Sequence, residues 1–179
     1  MWYKMDKNVH LRNVPQKDTE EKYAKIFCKT RTNKRKMEEI VYHHRFPIQL
    51  RFFDADQFGH GNNSIFFQYY DTAKMDYLHK ACPNMQHHYA IVVVHLEADF
   101  MSQVFTDNHV EVQTAVTHIG HKSFTLMQRL VDSDTKEVKC VGKTIMVAYD
   151  TEKNESVEIP QEWIEGINKY EGRELRDLR

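Results

Sequence analysis

One helix-length run followed by four strand-length runs, joined by turns too short to hold a crossover helix, is the feature that most constrains this chain. Residues 64–81 place Phe66, Tyr70, Ala73 and Tyr77 on one stripe at helical spacing. Beyond them, residues 109–118 and 123–131 alternate apolar and polar side chains at period two, and residues 138–149 complete the set of strands. Residues 90–100 are apolar enough to predict a centrally buried strand. Residues 119–122 and 132–136 carry the turn chemistry of hairpins. A further strand over about residues 42–53 precedes the helix, and Pro47 within it implies an edge position or a bulge. Pro160 opens a short terminal helix over about residues 161–170. Consecutive strands on short turns pair antiparallel, and one long helix can cover one face of the resulting sheet. The pattern predicts an α+β domain with an antiparallel sheet of about five strands around one long helix.

A length of 179 residues fits one domain with a real core. The longest purely apolar run, residues 90–94, is far too short to span a bilayer, and the basic N-terminus has no apolar stretch of the kind a secretory signal needs. Cys28, Cys82 and Cys140 are widely spaced, which argues against a disulfide framework or a thiolate metal site and suits a cytoplasmic location. Eleven histidines occur without a zinc-binding helix motif, so no metal is expected. Residues 1–36 hold eleven Lys and Arg against four acids, a balance of +7, and the rest of the chain carries −8 for a net charge of −1. The basic segment reads as a flexible, solvated extension of a domain over residues 37–179, not as a nucleic-acid-binding arm.

The chemistry concentrates in residues 51–64, Arg-Phe-Phe-Asp-Ala-Asp-Gln-Phe-Gly-His-Gly-Asn-Asn-Ser. Asn62, Asn63 or Ser64 can cap the helix that follows, since a short polar side chain accepts from its first free N–H groups. Asp56 then lies just ahead of a helix N-terminus, where oriented N–H groups polarise a carbonyl or hold an anion. A carboxylate facing such a site suits hydrolysis of an acyl compound. Asp54, two residues earlier, fits a brace for the turn.

Asp54-Ala-Asp56-Gln-Phe-Gly59-His60-Gly-Asn62-Asn63 resembles the D-x-D-x-x-G-H-x-N-N signature of the hotdog-fold acyl-CoA thioesterases, nearest to their 4-hydroxybenzoyl-CoA thioesterase-like branch. The resemblance extends over about residues 42–164 and implies a hotdog fold and hydrolysis of an acyl-CoA to acid and free coenzyme A. It assigns Asp56 as general base or nucleophile, Gly59 to the approach of the thioester carbonyl, and the backbone N–H of Asn63 to the oxyanion. His60 would orient substrate or carboxylate, and Asn62, Lys122 and Ser123 would bind substrate or coenzyme A. Asn63 stands where some relatives carry a histidine, which weakens a proton-relay role for His60. Asp71 lies where relatives often carry Glu. No cofactor is implied beyond the coenzyme A of the substrate, and a homodimer, paired in some relatives into a tetramer, is expected. An acyl-carrier-protein thioesterase and a non-catalytic acyl-thioester-binding protein are the alternatives.

Overall fold

Six antiparallel strands and two helices make up the computed structural model, which describes residues 40–57, 59–84 and 88–176. The basic extension and Phe58 of the acidic turn lie outside the described residues. The elements run β1 (His44–Ile48), a 3-10 turn (Phe52–Asp54), α1 (Asn63–Ala81), β2 (Tyr89–Phe100), β3 (Val110–Ile119), β4 (Ser123–Asp132), β5 (Val138–Asp150), β6 (Glu155–Ser156) and α2 (Gln161–Glu171). The sheet order is β1-β3-β4-β5-β2, with β6 added to β5. β1 is therefore an edge strand, which accommodates Pro47.

Two expectations need correction. The first strand ends before the alternation does, because Asp54 folds the chain back: its N–H donates to Arg51 O at 3.0 Å, and its carboxylate accepts the Arg51 N–H at 2.9 Å. Phe52 and Phe53 leave the strand and stand 85% and 92% exposed. The apolar β2 is not central but forms the other edge, leaving Val92, Val93, Val94 and Leu96 exposed.

The stripe Phe66, Tyr70, Ala73 and Tyr77 is buried as its spacing requires, and α1 packs mainly on β3 and β1 and against α2. The core divides along α1. Phe66, Tyr69 and Tyr70 at its N-terminal half pack with Val110, Val112 and Leu130. Tyr77, Leu78 and Ala81 at the other end pack with Ile119, Phe124, Trp163 and Ile167. Tyr70 of α1 reaches as far as Gly142 of β5, while Val92, Val93, Val94 and Leu96 of β2 stay exposed among the described residues. Among the described residues no helix is long and apolar enough to cross a membrane.

Candidate active site

The acidic turn is a closed loop on the N-terminal end of α1. Ala55 bridges Gly61, the Asp56 N–H donates to His60 O at 2.7 Å, and the Gly59 N–H donates to Asp56 O at 3.0 Å. Gly59 sits at φ +80°, and open space surrounds the position of its missing Cβ. Glycine is required here by backbone conformation rather than by close approach within the chain. Asn62 is the N-cap: its side-chain oxygen accepts the Ser64 N–H and hydroxyl, each at 3.0 Å. That amide oxygen is thus occupied by capping, while the Asn63 N–H, at the first helical position, has no intrahelical acceptor.

Asp56 is exposed, and its Oδ1 accepts the His60 N–H at 3.1 Å. The carboxylate holds its own turn in the loop that leads into α1. The His60 ring makes an edge contact with Phe105 at 5.0 Å between centroids. Its backbone orders the turn, and its imidazole rests against an aromatic ring.

Asp54 is the brace. It is 4% exposed, pairs with the Arg51 guanidinium at 2.9 Å, and accepts the Tyr69 hydroxyl at 2.7 Å, while its carbonyl accepts the Asn62 N–H at 2.9 Å. Burial pushes its carboxyl upward, but the hydrogen bonds from Arg51 and Tyr69 outweigh that and hold it below its ordinary value. Burial and the Asp54 carboxylate push the Tyr69 phenol upward, so it stays a donor. A carboxyl depressed in the fold contributes stability that is complete above the unfolded value of about 3.9 and is lost as pH falls through the folded value. Thermal melts below about pH 4 should show a stability loss in the native chain that Asp54→Asn lacks. Parallel pH profiles in the two proteins would refute the brace.

Lys122 and Ser123 do not join this turn within one chain. They lie in the β3–β4 hairpin, whose Ile119 and Phe124 pack at the C-terminal end of α1. The length of α1, 19 residues, separates the two ends by roughly 28 Å. The Lys122 ammonium donates to Ser156 O at 2.7 Å, and the neighbouring His121 pairs with Glu158 at 2.9 Å.

Neither described cysteine is a candidate nucleophile, since burial pushes the Cys82 thiol up to about 12 and the Cys140 thiol up to about 11. Among the described residues no group of three or more His, Cys, Asp or Glu side chains is placed to hold a metal ion. Two residues that shape the turn escaped the motif reading: Arg51 and Tyr69, both of which bond Asp54.

A sheet wrapped on one long helix, with an acidic turn closing against that helix's N-terminus, defines a hotdog α+β protein. The thioesterase-like superfamily matches residues 50–167, and the chain belongs to it. A thioesterase from Thermus thermophilus, solved in complex with coenzyme A and zinc, is 25% identical with a TM-score of 0.65, over 74% of this chain and 96% of that one. A protein of Pseudomonas aeruginosa strain PAO1 is 25% identical with a TM-score of 0.67, over 72% of this chain and 92% of its own. An uncharacterised protein of Bacillus subtilis strain 168, YsmA, is 25% identical over 111 residues, which are 62% of this chain and 75% of that one.

Proposed function

We propose that this protein hydrolyses an acyl-CoA thioester to a carboxylic acid and free coenzyme A. The observation that carries the reading is the exposed Asp56 carboxylate held in a closed turn on the Asn62-capped N-terminus of α1. Asp56 acts on the thioester carbonyl, either by taking a proton from the attacking water or by adding to the carbonyl carbon and expelling the thiolate, leaving a mixed anhydride that water hydrolyses to release the acid and restore the Asp56 carboxylate. The Asn63 N–H and the α1 dipole stabilise the charge that develops on the carbonyl oxygen. Membership of the thioesterase-like superfamily and a coenzyme A complex in a structural relative support this reading. Thiol release from a panel of short, medium, long and aromatic acyl-CoAs tests it. A native protein that releases thiol from none of them, nor from acyl-carrier-protein thioesters, is not a thioesterase.

The same proposal includes a homodimer formed through β2. Val92, Val93, Val94 and Leu96 are exposed on an edge strand of 12 residues, an unprotected edge of the sort proteins otherwise avoid. Ser123 is level with Val147, and Val147 with Val92, so the hairpin of Lys122 lies toward the start of β2. Gly61 and His60 contact Val104 and Phe105, just past its end. An antiparallel β2 pair would reverse one copy against the other and turn the partner's Lys122 hairpin toward the Asp56 end. Val94→Lys, at an exposed position of the strand, should convert the dimer to monomer in light scattering and lower kcat/KM by about tenfold or more, because it introduces a charge at the strand pair. A dimer that survives this change does not use β2.

A further inference from the structure

We infer that the trough between α1 and β2 is the acyl subsite, and that it selects an acyl chain ending in a carboxylate. The inference rests on the thioesterase reading and adds a substrate class to it. The trough has a volume of about 260 Å³, with Phe67 and Lys74 on its helix wall, Val93 and Leu96 on its strand wall, and Gln128 and Thr144 from the sheet. Phe67, Asp71 and Lys74 share one face of α1 because they are four and three residues apart. Phe67 connects the trough to the acidic turn: its ring meets Phe100 at 6.4 Å, Phe100 meets Phe66 at 5.5 Å, and Phe66 lies against Gly61.

An acyl chain whose carbonyl sits at the α1 N-terminus would therefore run past Phe67 toward Lys74. Lys74 follows Asn63 by eleven residues, about 16 Å along the axis, and helical side chains lean back toward the N-terminus, which shortens the reach to the ammonium. The far end of this trough is not apolar. The Lys74 side chain is only 10% exposed, and the buried Gln128 and Thr144 are polar. The Gln128 amide already donates to Tyr70 O at 2.9 Å, so the Lys74 ammonium is the group that decides: a methyl-terminated chain would take its remaining water and offer nothing in return. A terminal carboxylate would pair with an ammonium already largely out of water, where charge-assisted hydrogen bonds are strong.

The present partner of Lys74 is Asp71, at 2.5 Å, and it is the removable member of the pair. Asp71 is 72% exposed, so its carboxylate can turn to solvent when a substrate carboxylate takes its place. Asp71 thus competes with the substrate, and the two residues have opposite effects on selectivity.

The test measures calorimetric binding of adipoyl-CoA and hexanoyl-CoA, which match in chain length, to the full chain carrying Asp56→Asn, so that neither ligand is consumed. The parent is expected to favour adipoyl-CoA by about tenfold or more. Lys74→Met should bring the ratio near one, and Asp71→Asn should raise it. Equal binding of the two ligands by the parent, or a ratio unmoved by Lys74→Met, overturns the subsite. So does a change of oligomeric state in Lys74→Met, because the trough would then be a contact between copies. Selective binding by a protein that releases no thiol would sink hydrolysis and leave the subsite standing; thiol release without selectivity would do the reverse.

Discussion

Thiol release from the preferred acyl-CoA falls on the order of a hundredfold or more in Asp56→Asn, with the fold and the oligomer unchanged. The substitution separates chemistry from architecture because Asn keeps the oxygen that the turn uses. The Asp56 Oδ1 accepts the His60 N–H at 3.1 Å, and an amide oxygen can accept that same N–H. The Asp56 backbone bonds to His60 and Gly59 are untouched. What disappears is negative charge and basicity beside the α1 N-terminus, which both mechanisms require. Asp54→Asn provides the contrast. It weakens the pair with Arg51 and the acceptor for Tyr69, so its loss should appear as lower stability of the turn as well as lower activity. Circular dichroism and light scattering on Asp56→Asn confirm that the comparison is fair. Native-level thiol release in Asp56→Asn would mean that another group activates water. Asp71, on the face of α1 next to the trough, would then be the next carboxylate to replace.

How far the sequence reached depends on whether the determining contacts are local. The helix and four of the strands were legible because periodicity and turn residues are local signals, and their observed bounds lie within a residue or two of the expected ones. β1 was read too long because Phe52 continues its alternation. The contact that ends it, Asp54 against Arg51, looks in sequence like any acid three residues after a base. β2 was misplaced because a run of apolar residues reads the same on an edge strand as on a central one. The two residues of β6 form too short a strand to leave any periodicity.

The site divides in the same way. Asp56, Gly59, Asn62 and Asn63 fall within eight residues, so one turn assembles them and one motif reveals them. Tyr69 reaches Asp54 across fifteen residues, through the pitch of α1. Lys74 lines one trough with Thr144 and Gln128 only because β4 and β5 bring those residues beside the helix. Lys122 and Ser123 are recognisable as a turn, but their distance from Asp56 in one chain follows from how the sheet is strung. The motif therefore names the proposed catalytic end of α1, while the trough of the proposed acyl subsite is lined by side chains that packing alone brings together.

The other end of α1 depends on Gly166, and Gly166→Ala is expected to destabilise the domain by about 3 kcal/mol, the upper part of the range for overpacking. Two effects compete at this position. Gly166 lies inside α2, where alanine normally stabilises a helix by up to about 1 kcal/mol. A Cβ here, however, would stand 2.2 Å from the carbonyl oxygen of Ala81, the last residue of α1, and 3.3 Å from its carbon. That oxygen belongs to backbone and has no rotamer by which to move aside, so relief requires α2 to shift away from α1. The shift would open the packing of Trp163, Ile164 and Ile167 on Tyr77, Leu78 and Ala81. The steric cost exceeds the propensity gain, and Tm should fall by roughly 6–12 °C in a chain of this size. The hairpin that carries Lys122 is tied to the same region, since the Ile119 N–H donates to Leu175 O and the Ile159 N–H to His121 O. Amide exchange in 119–124 should therefore accelerate in Gly166→Ala, while exchange around Asp56 stays near the native rate. A melting temperature equal to or above the native one would show that the helices separate without cost, and that this end of α1 is not held by close contact with α2.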